Sequence, residues 1–226
     1  PADMKRYVYI TIALLFSASV IFLSGCGNKD SWARTTKKES IKEIEAKAIK
    51  DARKQAKRYR KDGFKVAPGS LPMDKMLEYT WIKLVERDDN GELKYLKADG
   101  NGVANTRSAA YMQAFELAKV NLAGQMETMV RAIIEGNVGN DQLNNEEAES
   151  ITRVLSASKN IIATKLSRVD PVFVIHRDLK NKNVEVNVKL VYSKKNALRV
   201  TRDVIREKMS DELDGLQGKL DDLMGI

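Results

Sequence analysis

The chain is poor in the residues that most often carry chemistry. It has one cysteine, Cys26, and one histidine, His176, in 226 residues. A lone cysteine excludes a disulfide framework, and one residue of each kind cannot build a Cys/His metal cluster. No Ser or Cys motif accompanies the histidine, so no recognisable nucleophile–base pair exists. His176 lies in an apolar run with Val172 and Val174, either at a core edge or on a surface. Aromatic residues make up 6% of the chain against 31% charged, which fits a soluble, helix-rich body.

Phosphate-binding glycine loops are also missing. Gly100-Asn101-Gly102 follows a strand-like run and precedes a helix, the right setting for one. However, Asn105 stands where a third small residue would let helix and strand pack closely. There is no Gly-Lys-Ser/Thr, and the run before the glycines reads as part of a hairpin and not of a βαβ unit. The expected role is a bend that drops a hairpin into its packing helix, capped by Asn105 or Thr106. Asp88, Asp89, Glu92 and Asp99 lack the spacing of a calcium loop and fit turns, where Asp serves the backbone. No catalytic residue, metal or cofactor is expected.

Long apolar runs are absent with one exception. Lys5 and Arg6 precede Tyr7–Leu23, which carries no charge, and Leu23-Ser24-Gly25-Cys26 closes the run. A basic start, an apolar stretch and small residues before a cleavage point describe a secretory signal. About 17 uncharged residues is also the lower limit for a membrane-spanning anchor. The tetrad decides between them, because Leu23, Ser24, Gly25 and Cys26 resemble the lipobox of bacterial lipoproteins. There the small residues suit a narrow peptidase cleft and the thiol accepts the diacylglycerol. Cys26 is the expected lipidation site, which makes the chain anchored to a membrane and not spanning it.

The net charge is +8, and its location matters. Residues 34–61 hold twelve Lys or Arg against four Asp or Glu, whereas the rest of the chain from Cys26 holds 25 basic and 26 acidic residues. All the excess charge therefore lies in one stretch near the expected anchor. That stretch has no Gly or Pro before Gly63 and is rich in helix formers. Ile41, Ile44, Ala48, Ala52, Gln55 and Tyr59 form a thin stripe at helical spacing, as in a solvated helix that packs lightly on the body. The functional alternative is contact with anionic headgroups or lipopolysaccharide phosphates through Lys54, Lys57, Arg58 and Arg60. Nucleic acid is disfavoured, since no aromatic platform interleaves with the charges.

Beyond Pro68-Gly69 the pattern changes. Thr80–Arg87 and Glu92–Ala98 flank Asn90-Gly91, a hairpin signal. Tyr111, Phe115, Ala118, Leu122, Met126, Met129 and Ile133 recur at helical spacing over a long amphipathic helix. Residues 144–166 predict a second helix capped by Asn144 or Asn145, with Ile151, Leu155, Ile162 and Leu166 inward. Val172–Leu179 and Val184–Tyr192 form a second hairpin, and Lys194 to Met209 a further helix. The fold class is α+β: an antiparallel sheet of two β-hairpins with helices on one face, preceded by a basic helical tether. The expected divisions are a signal at 4–25, a tether at 26–68, an α+β domain at 69–210 and a weakly helical tail at 211–226.

This layout resembles the small bacterial lipoproteins of the Helicobacter 20-kDa type. The resemblance rests on the lipobox, the hairpin ending in "GNG", the Ala-rich "SAAYMQAFELAKVNLAGQM" and the "VFVIHRDLKNKNVEVNVKLVY" hairpin. It covers residues 80–205, and the general style is that of envelope lipoproteins of Bacteroidota. It implies a non-catalytic scaffold or interaction module at the outer membrane, facing the periplasm, with an envelope protein as partner. The alternative is a periplasmic carrier of an apolar ligand or lipid, using a seam of Met112, Met126 and Met129.

Overall fold

The computed structural model describes residues 29–139, 142–166, 169–209 and 214–225. Through them run α1 (Lys29–Lys61), α2 (Met73–Val85), β1 (Tyr95–Ala104), α3 (Arg107–Gly139), α4 (Asn145–Ala157), α5 (Lys159–Lys165), β2 (Pro171–Asp178), β3 (Val184–Ser193), α6 (Lys194–Lys208) and α7 (Asp214–Met224). The fold is α+β. The chain divides into two units, 1–44 and 45–226. Of the first, the described part is α1 up to Ile44. The second carries the sheet, both hydrophobic cores and the rest of α1.

The sheet is antiparallel, in the order β1-β3-β2. β2 and β3 form the expected hairpin, turned at Lys182 with φ 65°. The other hairpin is not formed. Thr80–Val85 continues α2, because Met73, Leu77, Thr80 and Trp81 follow a helical stripe that buries one side of the element. The β-branched residues Thr80, Ile82 and Val85 imitate strand propensity, but packing decides the element. The Asn90-Gly91 turn does exist: Gly91 has φ +83°, and Asp88 Oδ1 accepts the backbone N–H groups of Asn90 and Glu92. It is flanked only by the single bridge Arg87–Leu93.

Gly100 and Gly102 lie in the middle of β1, paired with Val188 and Val186. They make no bend, and neither has a positive φ. The turn into α3 comes later, at Asn105-Thr106, where Thr106 Oγ1 accepts the N–H of Ala109 at 3.2 Å. The glycines are needed for contact. A Cβ on Gly100 would stand 2.0 Å from the carbonyl oxygen of Ala114 and 2.6 Å from the N of Ala118. One on Gly102 would stand 2.2 Å from the carbonyl oxygen of Ala110. Ala110, Ala114 and Ala118 recur every fourth residue and form one stripe of α3. Strand backbone thus lies directly on helix backbone. α3 also covers part of the open edge of β1, since Asn121 and Gln125 donate to the carbonyls of Asp99 and Lys97. Side-chain capping of this kind protects an edge strand.

Helices cover both faces of the sheet, where one was expected. On the first face, Ala98, Val186, Val188 and Leu190 meet α3, backed by α4 to α7. The second face carries a separate core of Ala52, Ala56, Phe64, Leu77, Phe173 and Ile175. The basic helix from Glu45 onward is therefore a layer of the body and not only a tether. It ends in a Schellman arrangement: the N–H of Phe64 bonds to the carbonyl of Tyr59, that of Gly63 to Arg60, and Gly63 has φ +85°. The accompanying apolar contact joins Tyr59 and Phe64, edge to face at 5.6 Å.

Other expectations are refined. The helix over 144–166 breaks at Ser158, whose backbone (φ −91°, ψ −5°) separates α4 from α5. Asn144 caps α4 in a full capping box with Glu147. The C-terminal tail is packed in as α7, with Leu220 and Met224 in the first core. A bulge between Pro171 and Phe173 breaks the alternation assumed for β2. Val172 joins the second core, whereas Val174 packs against the first.

Candidate functional site

Leu23, Ser24, Gly25 and Cys26 lie outside the described residues. The basic contact residues lie inside them. At 100° per residue, Lys47, Lys50, Lys54, Lys57, Arg58 and Lys61 fall within one arc of about 100° on α1. All six are exposed. Ala48, Ala52 and Ala56, buried against the body, occupy the opposite side. Six cations thus line one face over about 21 Å of helix. Among the described residues, Lys54 pairs with Asp51 at 3.9 Å.

Arg60 does not belong to this face. Its guanidinium is 2.5 Å from Asp74 on α2, where it ties the two helices together. Asp74 titrates below the usual carboxylate range, through its own backbone N–H first and then Arg60. Arg53 makes the same kind of link to Glu78 at 2.6 Å. Lys47, Lys50 and Lys61 are the members that sequence spacing around residue 57 missed. The signal was available, because all six share one side of the helical wheel.

Neutralising Lys54, Lys57 and Arg58 together should weaken binding of the unlipidated chain to anionic liposomes. At about 1 kcal/mol per cation near the surface, the loss is about a hundredfold at low salt and smaller at high salt. Arg60→Gln alone should leave liposome binding unchanged and lower thermal stability slightly. Co-sedimentation over a salt series reads the first effect, and a melting curve the second.

The remaining second face, beside β1, is polar. Asn101, between the two glycines, points away from α3 and donates to Glu185 Oε1 at 2.7 Å. Glu185 Oε2 accepts from Arg177 Nε at 2.6 Å. The Arg177 guanidinium lies 4.6 Å above the Phe64 ring and donates to the carbonyl of Asp62. The Gly-Asn-Gly run therefore serves both faces, with glycines toward α3 and Asn101 toward the end of α1. Lys189 reaches Asp99 at 2.6 Å and Lys97 at 3.1 Å completes the group. Burial works to raise the pKa of Asp99, yet the two lysines outweigh it and hold the carboxyl below its ordinary value. These carboxylates are structural partners of lysine and arginine.

Of the clefts open to solvent, two bear on function. The larger, about 490 Å³, lies between Trp81, Leu84, Tyr95 and Lys189. Its polar groups serve the fold: Trp81 Nε1 donates to Gln55 Oε1, Lys189 pairs with Asp99, and Lys194 stands 3.5 Å from Glu92. The smaller, about 330 Å³, holds His176. His176 is half-buried beside Arg107, so the histidine left open by sequence is at a core edge. The methionine seam is not one surface. Met126 is fully buried, Met129 packs on the first core, and Met112 is 56% exposed at the mouth of the smaller cleft.

Among the described residues, no group of three or more His, Cys, Asp or Glu is arranged to hold a metal ion. Among those residues, too, no helix is long and apolar enough to cross a membrane. No family model, no curated protein and no solved structure matches the chain.

Proposed function

We propose that the protein is a lipid-anchored, non-catalytic envelope protein, a scaffold or interaction module at the outer membrane facing the periplasm. The observation that carries this reading is Leu23-Ser24-Gly25-Cys26, placed directly behind Lys5-Arg6 and an uncharged run. The exposed basic face of α1 supports it. One acyl chain holds a protein only marginally, and stable attachment takes a second chain or a polybasic patch. Lys47 to Lys61 provide such a patch about twenty residues past the acylated cysteine. For an envelope partner, the surface at hand is the second face beside β1, where Lys97, Asp99, Asn101 and Val103 are exposed.

Cys26→Ser tests the anchor. The variant should leave the membrane fraction or accumulate as an unprocessed precursor, and it should lose incorporation of a labelled fatty acid. Unchanged fractionation with unchanged labelling would sink the reading. Crosslinking in native membranes then identifies the partner, and a product dominated by contacts far from β1 would reject that surface.

A further inference from the structure

The sheet is wider than the helix that lies on its first face. α3 covers β1 and β3, and toward β2 a strip of the sheet stays open. The cleft of about 330 Å³ lies on that strip. Val174 and Val186 form its apolar floor, Tyr111 and Met112 its wall on α3, and Arg107 and His176 its polar end. Tyr111 is held by stacking on Phe115 at 5.8 Å. Among the described residues, neither Arg107 nor the ring of His176 has a hydrogen-bond or ion-pair partner. The backbone of His176, in contrast, is fixed: its carbonyl accepts from Lys65 at 2.7 Å and its N–H donates to Lys65 at 2.9 Å.

We infer that this cleft binds a small monocarboxylate with an apolar body. Arg107 offers a planar fork that matches a carboxylate, and no acidic group in the cleft competes for it. The valines and Met112 would leave a purely polar anion poorly matched, and an uncharged apolar ligand would leave the guanidinium unused. Arg107 is the one arginine or lysine lining the cleft, so it balances a single negative charge. Burial lowers the pKa of His176 most, followed by the charge of Arg107; Asp178 opposes and Lys65 adds to the lowering. Tyr111 is the other titratable group facing the ring. The nearest acid, Asp178, is engaged by Lys65 at 3.7 Å on the rim. A volume near the low end for ligand sites suits one small molecule and not a diacyl lipid. The site is independent of the lipid anchor, and either can fail without the other.

Calorimetry on the folded chain with three eight-carbon probes tests it. Octanoate should bind, octanol should bind about tenfold more weakly, and octyltrimethylammonium should not bind. Arg107→Gln should weaken octanoate about tenfold and leave octanol unaffected; Arg107 is exposed and unpaired, so the variant's melting temperature should match the parent's. Octanoate should also shift the ring resonances of His176. Its affinity should rise as pH falls below the ordinary imidazole range, when the imidazole gains its charge. Equal affinity for octanoate and octanol, an unaffected Arg107→Gln, a silent His176, or no binding of any probe would each overturn the site. An affinity that does not rise toward acid pH would remove His176 from it.

Discussion

Gly100→Ala should destabilise the fold by about 3 kcal/mol or more, although it adds only one methyl group. Overpacking a well-filled core typically costs about 1–3 kcal/mol where side chains can shift. Here the obstacles are backbone atoms, the Ala114 carbonyl oxygen at 2.0 Å and the Ala118 nitrogen at 2.6 Å. Neither can move unless the whole of α3 lifts off β1. Lifting it would separate Ala110, Ala114 and Ala118 from the sheet and loosen the first core. Against a typical domain stability of about 5–15 kcal/mol, that is a large fraction. Gly102→Ala should act in the same way, with its methyl 2.2 Å from the Ala110 carbonyl oxygen. Gly136→Ala is the control, because nothing lies within 4 Å of its Cβ position. In a helix it should be neutral or stabilising by up to about 1 kcal/mol. Urea denaturation of the three variants measures the contrast. A Gly100→Ala protein as stable as the parent would show that the close approach of α3 and β1 is not required.

The second large effect is expected for Phe173→Ala, at about 3–5 kcal/mol. Phe173 is fully buried at the centre of the second core, with its ring 5.7 Å from that of Tyr59 and beside Leu77 and Ile175. The layer it supports is thin. Small Ala52 and Ala56 supply much of the α1 contact, and two ion pairs tie α1 to α2: Arg60–Asp74 near the surface, and Arg53–Glu78, whose carboxylate is buried. A pair near the surface contributes little, so, beside Arg53–Glu78, the aromatic core bears most of the attachment. Loss of Phe173 should therefore release α1 and α2 before the sheet opens. Hydrogen exchange should show protection falling first over Glu45–Lys61 and Met73–Val85, with α3 affected least. Uniform loss across α3 and α6 would mean that the two cores unfold as one. Because the basic face rides on α1, the same variant should also weaken liposome binding.

Much of the architecture was readable from pattern alone. The spacing of Ala118, Leu122 and Met126 predicted α3, although its buried stripe runs on through Val130 and Ile134 and not Ile133, and Asn144 or Asn145 marked the start of α4. Alternation through Val184, Val186, Val188 and Leu190 predicted β3. These elements have one periodicity and one buried side, so local order and burial agree. Misreadings came where they disagree. Thr80–Val85 has strand-forming residues but a helical stripe of buried ones. Ser158 interrupts a continuous amphipathic pattern. Residues 98–104 look like a loop because glycine favours turns, and nothing local reveals that α3 will press against them.

The sequence by itself determined the α+β class, the β2–β3 hairpin, the pair of residues from which each helix cap is drawn and the concentration of positive charge in residues 34–61. It is also the whole basis for Cys26. Only the tertiary structure decided that α1 is a layer of the body, and that Arg60 is spent on Asp74 while Lys54, Lys57 and Arg58 stay exposed. It also decided that Gly100 and Gly102 are contact points and that Arg107 meets His176. The reason is physical. Propensity, capping and periodicity act between residues a few positions apart, whereas a missing Cβ or an unpaired guanidinium acquires meaning only from atoms brought to it by distant parts of the chain.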